Sequence, residues 1–366
     1  MNYKQLLCAG LFAAQAIACG AQNQRTSISN HNGETEIVIE SSKEDLELSY
    51  KGELTFNETE TAVRGITPGS KLRYRNGNNK LVISADAGGR LSYSCNGGES
   101  AAQIPAACTD MERQVIALLI RNGVGAKERA ARIFARGGAP AVLTEVDKLP
   151  GDYVRSIYLK ALMEQPSLPA ADWKALATRI RGIGSDYEKA GLLRRLLAKT
   201  SQSASLMPAF FDATATVGSD YERAGVLNAV FAQKLDAAQY GRAVEIASTI
   251  KSDYEKARVL KAAAAVPGMS FSTLLAGART IGSDYEKAGV LKMLVPHAGT
   301  NENEWVALLE AARGIRSDYE KASMLVHAAR KMPRSQKLLG EYRKAAATIH
   351  SEYELGRATK AVGTES

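Results

Sequence analysis

Ile183-Gly184-Ser185-Asp186-Tyr187-Glu188-Lys189-Ala190-Gly191 decides how most of this chain folds, because it returns, little changed, down the rest of the sequence. The matching tyrosines are Tyr153, Tyr187, Tyr221, Tyr254, Tyr285, Tyr319 and Tyr353, spaced by 34, 34, 33, 31, 34 and 34 residues. A fixed period of this length marks a repeat architecture. These seven positions are half of the 14 tyrosines, in a chain with only 7 Phe and 2 Trp, so the aromatic skew comes from the repeat.

Each motif starts a helix. Ser185 and Glu188 stand in the Ser-x-x-Glu relation of a capping box, in which each side chain satisfies an otherwise unpaired backbone N–H. The pair recurs as Ser219/Glu222, Ser252/Glu255, Ser283/Glu286, Ser317/Glu320 and Ser351/Glu354. Asp186 and its equivalents add negative charge at the helix N-terminus. The Ala190-Gly191 pair, echoed at Ala224-Gly225 and Ala288-Gly289, is expected to let a neighbouring helix approach closely. A second helix precedes each motif. Seven residues before the closing Ile or Val stand Leu176, Phe210, Ala243, Leu274, Leu308 and Tyr342. Ten before stand Trp173, Met207, Tyr240, Phe271, Trp305 and Leu339, and three before stand Ile180, Thr214, Ala247, Ala278, Ala312 and Ala346. That is one face of an amphipathic helix. Pro166, Pro208, Pro267, Pro296 and Pro333 are expected between the paired helices. After the closing Ile or Val, Gly184, Gly218 and Gly282 favour a left-handed cap, though Lys251, Arg316 and His350 also occur there. A hairpin of this kind cannot bury its apolar faces alone, and stacked copies can. The region 108–366 is therefore expected to be an α-solenoid of about seven units, with a degenerate unit around Glu128-Arg129-Ala130.

Residues 25–100 read differently. Glu36–Glu40, Leu46–Tyr50, Leu54–Phe56, Lys71–Arg75, Lys80–Ile83 and Arg90–Tyr93 alternate with period two. Asn32-Gly33, Pro68-Gly69, Asn76-Gly77 and Gly88-Gly89 separate them. Alternation with such turns predicts an antiparallel β domain of five to seven strands. So few large apolar side chains make a thin core, expected to lean on the next region or on a disulfide. The fold class expected is α+β, a small antiparallel β domain followed by the solenoid.

Residues 1–21 read as an export signal, with Lys4 ahead of the short apolar run Leu6–Ala18. Cleavage before Cys19 or after Ala21 both fit. Ala16-Ile17-Ala18-Cys19 resembles a bacterial lipobox, which implies lipidation of Cys19 and membrane attachment through it. Export to the periplasm or envelope leaves Cys95 and Cys108 in an oxidising compartment, where a disulfide worth roughly 3 kcal/mol is expected.

The repeat has the length of a tetratricopeptide repeat and a similar hairpin, although that family's ordered Trp, Leu-Gly, Tyr, Ala, Phe, Ala and closing Pro are not reproduced. The Ser-Asp-Tyr-Glu arrays also resemble exported repeats of uncharacterised bacterial envelope proteins, some attached to peptidases of the β-lactam-sensor type. Those peptidases carry His-Glu-x-x-His. Here His31, His297, His327 and His350 are each followed by a residue other than Glu, so no peptidase activity carries over.

The remaining chemistry argues against catalysis. The sequence has no metal-spaced His/Cys cluster, no Gly-x-Ser-x-Gly elbow and no phosphate loop or dinucleotide fingerprint. No cofactor is expected. The repeated Tyr is expected to fill the joint between hairpins with its hydroxyl bonded to the next unit, and Trp305 to lie in the core. The formal net charge of +8 is concentrated in the second part, since residues 22–105 hold 9 Lys+Arg against 11 Asp+Glu and 106–366 hold 37 against 28. Arg194, Arg195, Arg258, Lys261, Arg316, Arg330 and Lys331 vary between units as solenoid binding surfaces do. The function expected is a non-catalytic exported scaffold for a protein or peptide. A module for an anionic envelope polymer or lipid headgroup, and an enzyme without a motif-coded site, are the alternatives. Nucleic acid is not expected as a partner of an exported chain without a compact basic cluster.

Overall fold

The computed structural model describes residues 24–31, 34–41, 46–100, 104–166, 168–200 and 205–363. The expected export signal, Cys19 and the expected Asn32-Gly33 turn lie outside the described residues. The chain forms two compact units, an N-terminal one of residues 1–138 and 145–158 and a C-terminal one of residues 139–144 and 159–366.

In the N-terminal unit, seven strands form one antiparallel sheet: β1 (Gln24–His31), β2 (Glu34–Ser41), β3 (Leu46–Lys51), β6 (Lys71–Asn76), β7 (Asn79–Ala85), β8 (Leu91–Cys95) and β9 (Gly98–Ser100). They are ordered β1-β2-β3-β6-β7-β8-β9, and β4 (Leu54–Phe56) pairs with β5 (Val63–Ile66) in a separate hairpin inserted between β3 and β6. All six strands expected from the alternation are present, and β1, β5 and β9 are additional. Asn76 pairs with Asn79 across a two-residue loop whose Gly77 takes φ +56°. Cys95 pairs with Gly98 across Asn96-Gly97, both at positive φ, the geometry that asparagine and glycine accept in a tight hairpin.

Alternate residues Leu46, Leu48, Tyr50, Leu72, Tyr74, Leu81, Ile83 and Tyr93 face a core that Val115, Ile116 and Leu119 of α1 (Thr109–Arg121) complete. The thin sheet thus leans on the following helix, as expected. Cys95 of β8 and Cys108, at the end of a short 3-10 helix, form the predicted disulfide, with 6.5 Å between their Cα atoms. Helix α2 (Ala126–Lys148) is kinked at Gly137-Gly138, where Gly138 has φ +64°, and α3 (Asp152–Met163) follows.

Among the described residues the C-terminal unit holds six helical hairpins. Their first helices are α4 (Ala170–Arg181), α6 (Met207–Ala215), α8 (Ala237–Ser248), α10 (Phe271–Arg279), α12 (Glu302–Arg313) and α14 (Gln336–Ala346). Their second helices are α5 (Asp186–Thr200), α7 (Asp220–Phe231), α9 (Asp253–Ala264), α11 (Asp284–Ala298), α13 (Asp318–Ala329) and α15 (Glu352–Val362). First helices pack on first helices and second on second, so the hairpins stack as an α-solenoid. The spacing rule holds fully at two of its three positions, while at the ten-back position Met207, Phe271 and Trp305 are buried and Trp173, Tyr240 and Leu339 only half-buried. Leu176, Phe210, Ala243, Leu274, Leu308 and Tyr342 are buried throughout, as are Ile180, Thr214, Ala247, Ala278, Ala312 and Ala346. Trp305 is core, with Nε1 donating to the Gly299 carbonyl at 3.0 Å.

Three expectations are corrected. Pro208 lies in the first turn of α6, where its missing N–H would have no intrahelical partner anyway, and Pro296 lies in the last turn of α11, where it forgoes one i→i−4 hydrogen bond. Gly184, Gly218 and Gly282 are not left-handed. A Cβ on Gly218 would stand 3.0 Å from the Asp186 carboxylate, and one on Gly282 equally close to Asp253. The glycine of the Ala-Gly pair admits a side chain rather than a helix at Gly225 and Gly289.

Candidate functional site

Each joint between hairpins uses the polar groups of the motif in turn. Ser219 Oγ accepts from the Glu222 N–H at 3.3 Å, and Ser252, Ser283, Ser317 and Ser351 cap their helices the same way. The return arm of the expected capping box is not formed. The serine N–H is instead donated to the aspartate of the preceding hairpin: Ser219 to Asp186 at 2.7 Å, Ser252 to Asp220 at 2.8 Å, Ser283 to Asp253 at 2.7 Å, Ser317 to Asp284 at 2.9 Å and Ser351 to Asp318 at 2.9 Å. The motif aspartate is therefore a latch onto the next hairpin. Burial pushes the Asp253 carboxyl up, but the Gly282 and Ser283 N–H groups and Lys256 outweigh it and hold its pKa below the usual value. The Ser351 N–H is the main cause holding Asp318 down.

The motif lysine ties the joint on its other side. Lys189, Lys256 and Lys321 are buried and donate to the carbonyls of Thr216, Thr280 and Thr348, at the C-terminal end of the next hairpin's first helix. A cation there satisfies an orphan carbonyl and meets the negative end of the helix dipole. Desolvation holds the Lys321 ammonium pKa below its usual value.

Glu188, Glu222, Glu255, Glu286 and Glu354 each take a cation, and the cation comes from one of two places. Lys160, Arg194 and Lys261 reach forward to Glu188, Glu222 and Glu286 at 2.9, 3.2 and 2.9 Å. At two of these joints the reaching chain passes over the glycine that follows the small alanine, while nothing stands within 4 Å of a Cβ on Gly191. The Arg194 guanidinium would be 2.9 Å from a Cβ on Gly225, and the Lys261 ammonium 3.4 Å from one on Gly289. Where the reaching position is Asn228 or Val326, the glycine position is Arg258 or Arg357. That arginine pairs with its own Glu255 or Glu354 at 2.6 Å. It also lies over the preceding tyrosine, Arg258 5.7 Å from the Tyr221 ring centroid and Arg357 5.6 Å from that of Tyr319.

That leaves the tyrosine. The expectation that it fills the joint is wrong for the C-terminal unit. Tyr187, Tyr221, Tyr254, Tyr285, Tyr319 and Tyr353 are 59–74% exposed. With Met293 they are the large exposed hydrophobic side chains among the described residues. Serine, aspartate, glutamate and lysine already satisfy the joint, and the ring at the second position of each helix points away from it. Because the second helices lie side by side, the rings form a row at the helix spacing of about 10 Å. Tyr153, in the N-terminal unit, is half-buried.

The seven cations expected to bind are not brought into one patch. Arg194, Arg258 and Lys261 sit in the joints beside the row. Arg195 pairs with Glu164 at 3.1 Å. Arg316, in the loop before α13, donates its backbone N–H to Asp284 at 3.1 Å while its side chain is 83% exposed. Arg330 and Lys331 are exposed at the end of α13. The tyrosine row is the element expected to fill the joints. Its signal was available: the four polar neighbours account for the joint without the ring. Among the described residues no group of three or more His, Cys, Asp or Glu could hold a metal. His297 Nε2 is 2.8 Å from the Ala264 carbonyl oxygen.

No family model, curated protein or solved structure matches this chain.

Proposed function

We propose that the chain is an exported, non-catalytic scaffold that binds a protein or peptide along the tyrosine row. The observation that supports this reading is the regular exposure of six rings in a motif whose other polar residues largely serve the joints. Tyrosine offers a large rigid face and a hydroxyl at small entropic cost, which is why it is enriched at recognition surfaces. The cations between the rings are 38–39% exposed at Arg194, Arg258 and Lys261, whereas their glutamates are 11–13% exposed, so the row presents aromatic faces and positive charge. An extended segment with apolar and acidic residues fits that chemistry.

Export is supported by the Cys95–Cys108 disulfide, which suits an oxidising compartment. No helix among the described residues is long and apolar enough to cross a membrane. Residence in the periplasm or on a lipid anchor at Cys19 is part of the proposal, as is kinship with exported envelope repeats. The test is a photo-crosslinking residue at 221, 254 or 285 in the intact envelope. A discrete adduct at these positions, absent when the crosslinker replaces Arg242 on a first helix, is expected. Equal adducts at both places, or none at the row, would refute the reading.

A further inference from the structure

Arg194, Lys261 and Lys292 each reach from one hairpin's second helix into the next hairpin, and Lys160 of α3 reaches into the first hairpin in the same way. At the α13–α15 joint the same position is Val326, which is too short to cross. An open groove of about 380 Å³ remains, lined by Val326, Arg330, Arg357, Lys360 and Ala361. Its charge is unbalanced. Arg357 is held by Glu354 at 2.6 Å, and that carboxylate is nearly covered. Arg330 and Lys360 have no side-chain acceptor among the described residues. Three cations around one carboxylate leave two positive charges on the groove.

The α7–α9 joint shows that this is particular to its place. There Asn228 stands for Val326 and Arg258 for Arg357. Ala232 stands for Arg330, and Lys261, in the place of Lys360, is taken by Glu286 at 2.9 Å. Only a missing reach is shared, not the free cations. The surroundings of the α13–α15 groove are positive as well. Burial, with Lys292, Lys331 and Arg330, holds the His327 imidazolium below its usual pKa.

We infer that the α13–α15 groove binds a phosphoryl group, with Arg330 and Lys360 as its direct ligands and Arg357 as the third wall. A phosphate monoester carries close to two negative charges at neutral pH, matching the groove. A carboxylate would leave one cation uncompensated. Arginine can engage two phosphate oxygens at once, and lysine supplies a compact charge beside it. The groove is open, so the rest of the ester would lie outside, and either a soluble phosphate ester or the headgroup of a phospholipid could supply it.

The test uses the full mature chain, with inorganic phosphate and glycerol 3-phosphate as probes in calorimetry at low salt. Saturable binding is expected in the wild type. Arg330→Gln/Lys360→Gln is expected to weaken it at least tenfold, and Val326→Arg to abolish it by filling the groove and pairing with Glu354. Lys234→Gln, an exposed lysine elsewhere, is expected to leave it unchanged. Both cations of the double variant are exposed, so its circular dichroism melt is expected to match the wild type. Sedimentation with phosphatidylcholine vesicles, with and without phosphatidic acid, separates the sources. Binding lost in the double variant identifies a lipid headgroup, and phosphate binding without vesicle binding identifies a soluble ester. No saturable phosphate binding up to about 10 mM, binding unchanged in the double variant, or acetate competing as well as phosphate would each overturn the assignment.

Discussion

The two units are held by opposite strategies. The N-terminal unit depends on contacts that each occur once. Arg129 Nε donates to Glu60 at 2.8 Å, and its Nη1 donates to Glu145 at 2.7 Å and to the Tyr158 hydroxyl at 3.0 Å. Buried Glu112 accepts from the Val63 N–H at 2.9 Å, joining α1 to the small hairpin, and one disulfide joins the sheet to α1. The C-terminal unit makes one set of contacts repeatedly. A lesion in the first unit removes something irreplaceable, whereas a lesion in the second removes one of several equivalent latches. Repetition also leaves a residue over: once the joint is satisfied by four polar side chains, the fifth position of the motif is available to face solvent in every hairpin.

The comparison breaks most readily at Arg129. Arg129→Ala strands Glu60 and Glu145 in a largely buried place and is expected to cost about 3–5 kcal/mol, read from the urea midpoint of the N-terminal unit. A cost under about 1 kcal/mol would make the network a surface ornament. In the solenoid, the nearest counterpart is Tyr342, fully buried with its hydroxyl donating to the Ala358 carbonyl at 2.8 Å. Tyr342→Ala is expected to cost about 3–5 kcal/mol, as for other buried aromatics. Replacing both Cys95 and Cys108 by serine should cost about 3 kcal/mol by loop-entropy arithmetic, confined to the unit that holds them.

Smaller effects sharpen the repeat side. Asp253→Ala leaves the Gly282 and Ser283 N–H groups without their carboxylate and is expected to cost about 1–3 kcal/mol, with faster amide exchange in the 280–283 loop. The pH response has a definite sign. Asp253 and Asp318 have folded pKa values below the usual carboxylate value, so the unfolded chain binds their protons first. Their contribution is present above the ordinary carboxylate pKa and is lost as pH falls through it and on toward the folded value. Glu112 runs the other way. Burial raises its pKa despite the Val63 bond, so its contribution weakens as pH rises from the ordinary carboxylate value through the folded one. Glu112→Gln should flatten that limb in the melting temperature of the N-terminal unit as pH rises above the ordinary carboxylate value.

Much of the solenoid was legible because a repeated period ties each residue to its equivalents. The large, large, small stripe led straight to Phe210, Leu274 and Ala278 in the core. The sheet was legible where alternation was strong and obscure elsewhere. Strand β1, Gln24–His31, is almost wholly polar, β5 is four residues long and β9 only three. What the sequence could not convey was the partner of each polar group. Ser-x-x-Glu reads as a self-contained box, yet the serine N–H goes to an aspartate 32 or 33 positions earlier for most hairpins, as with Ser219 and Ser252. The same gap sent the tyrosines to the core, since an aromatic beside a small pair looks like joint filler until the reaching Arg194 and Lys261 are seen passing over the glycines.

The most direct test sets the latch against the ring. Urea denaturation of Asp253→Ala, Tyr254→Ser and the Tyr221→Ser/Tyr254→Ser/Tyr285→Ser triple variant would be measured side by side, with envelope crosslinking at 319 on each. The latch variant is expected to lose about 1–3 kcal/mol, while the tyrosine variants stay within about 0.5 kcal/mol of wild type per ring and the triple variant loses its adduct. Tyrosine variants that unfold as readily as Asp253→Ala, or a triple variant that keeps its adduct, would contradict the account.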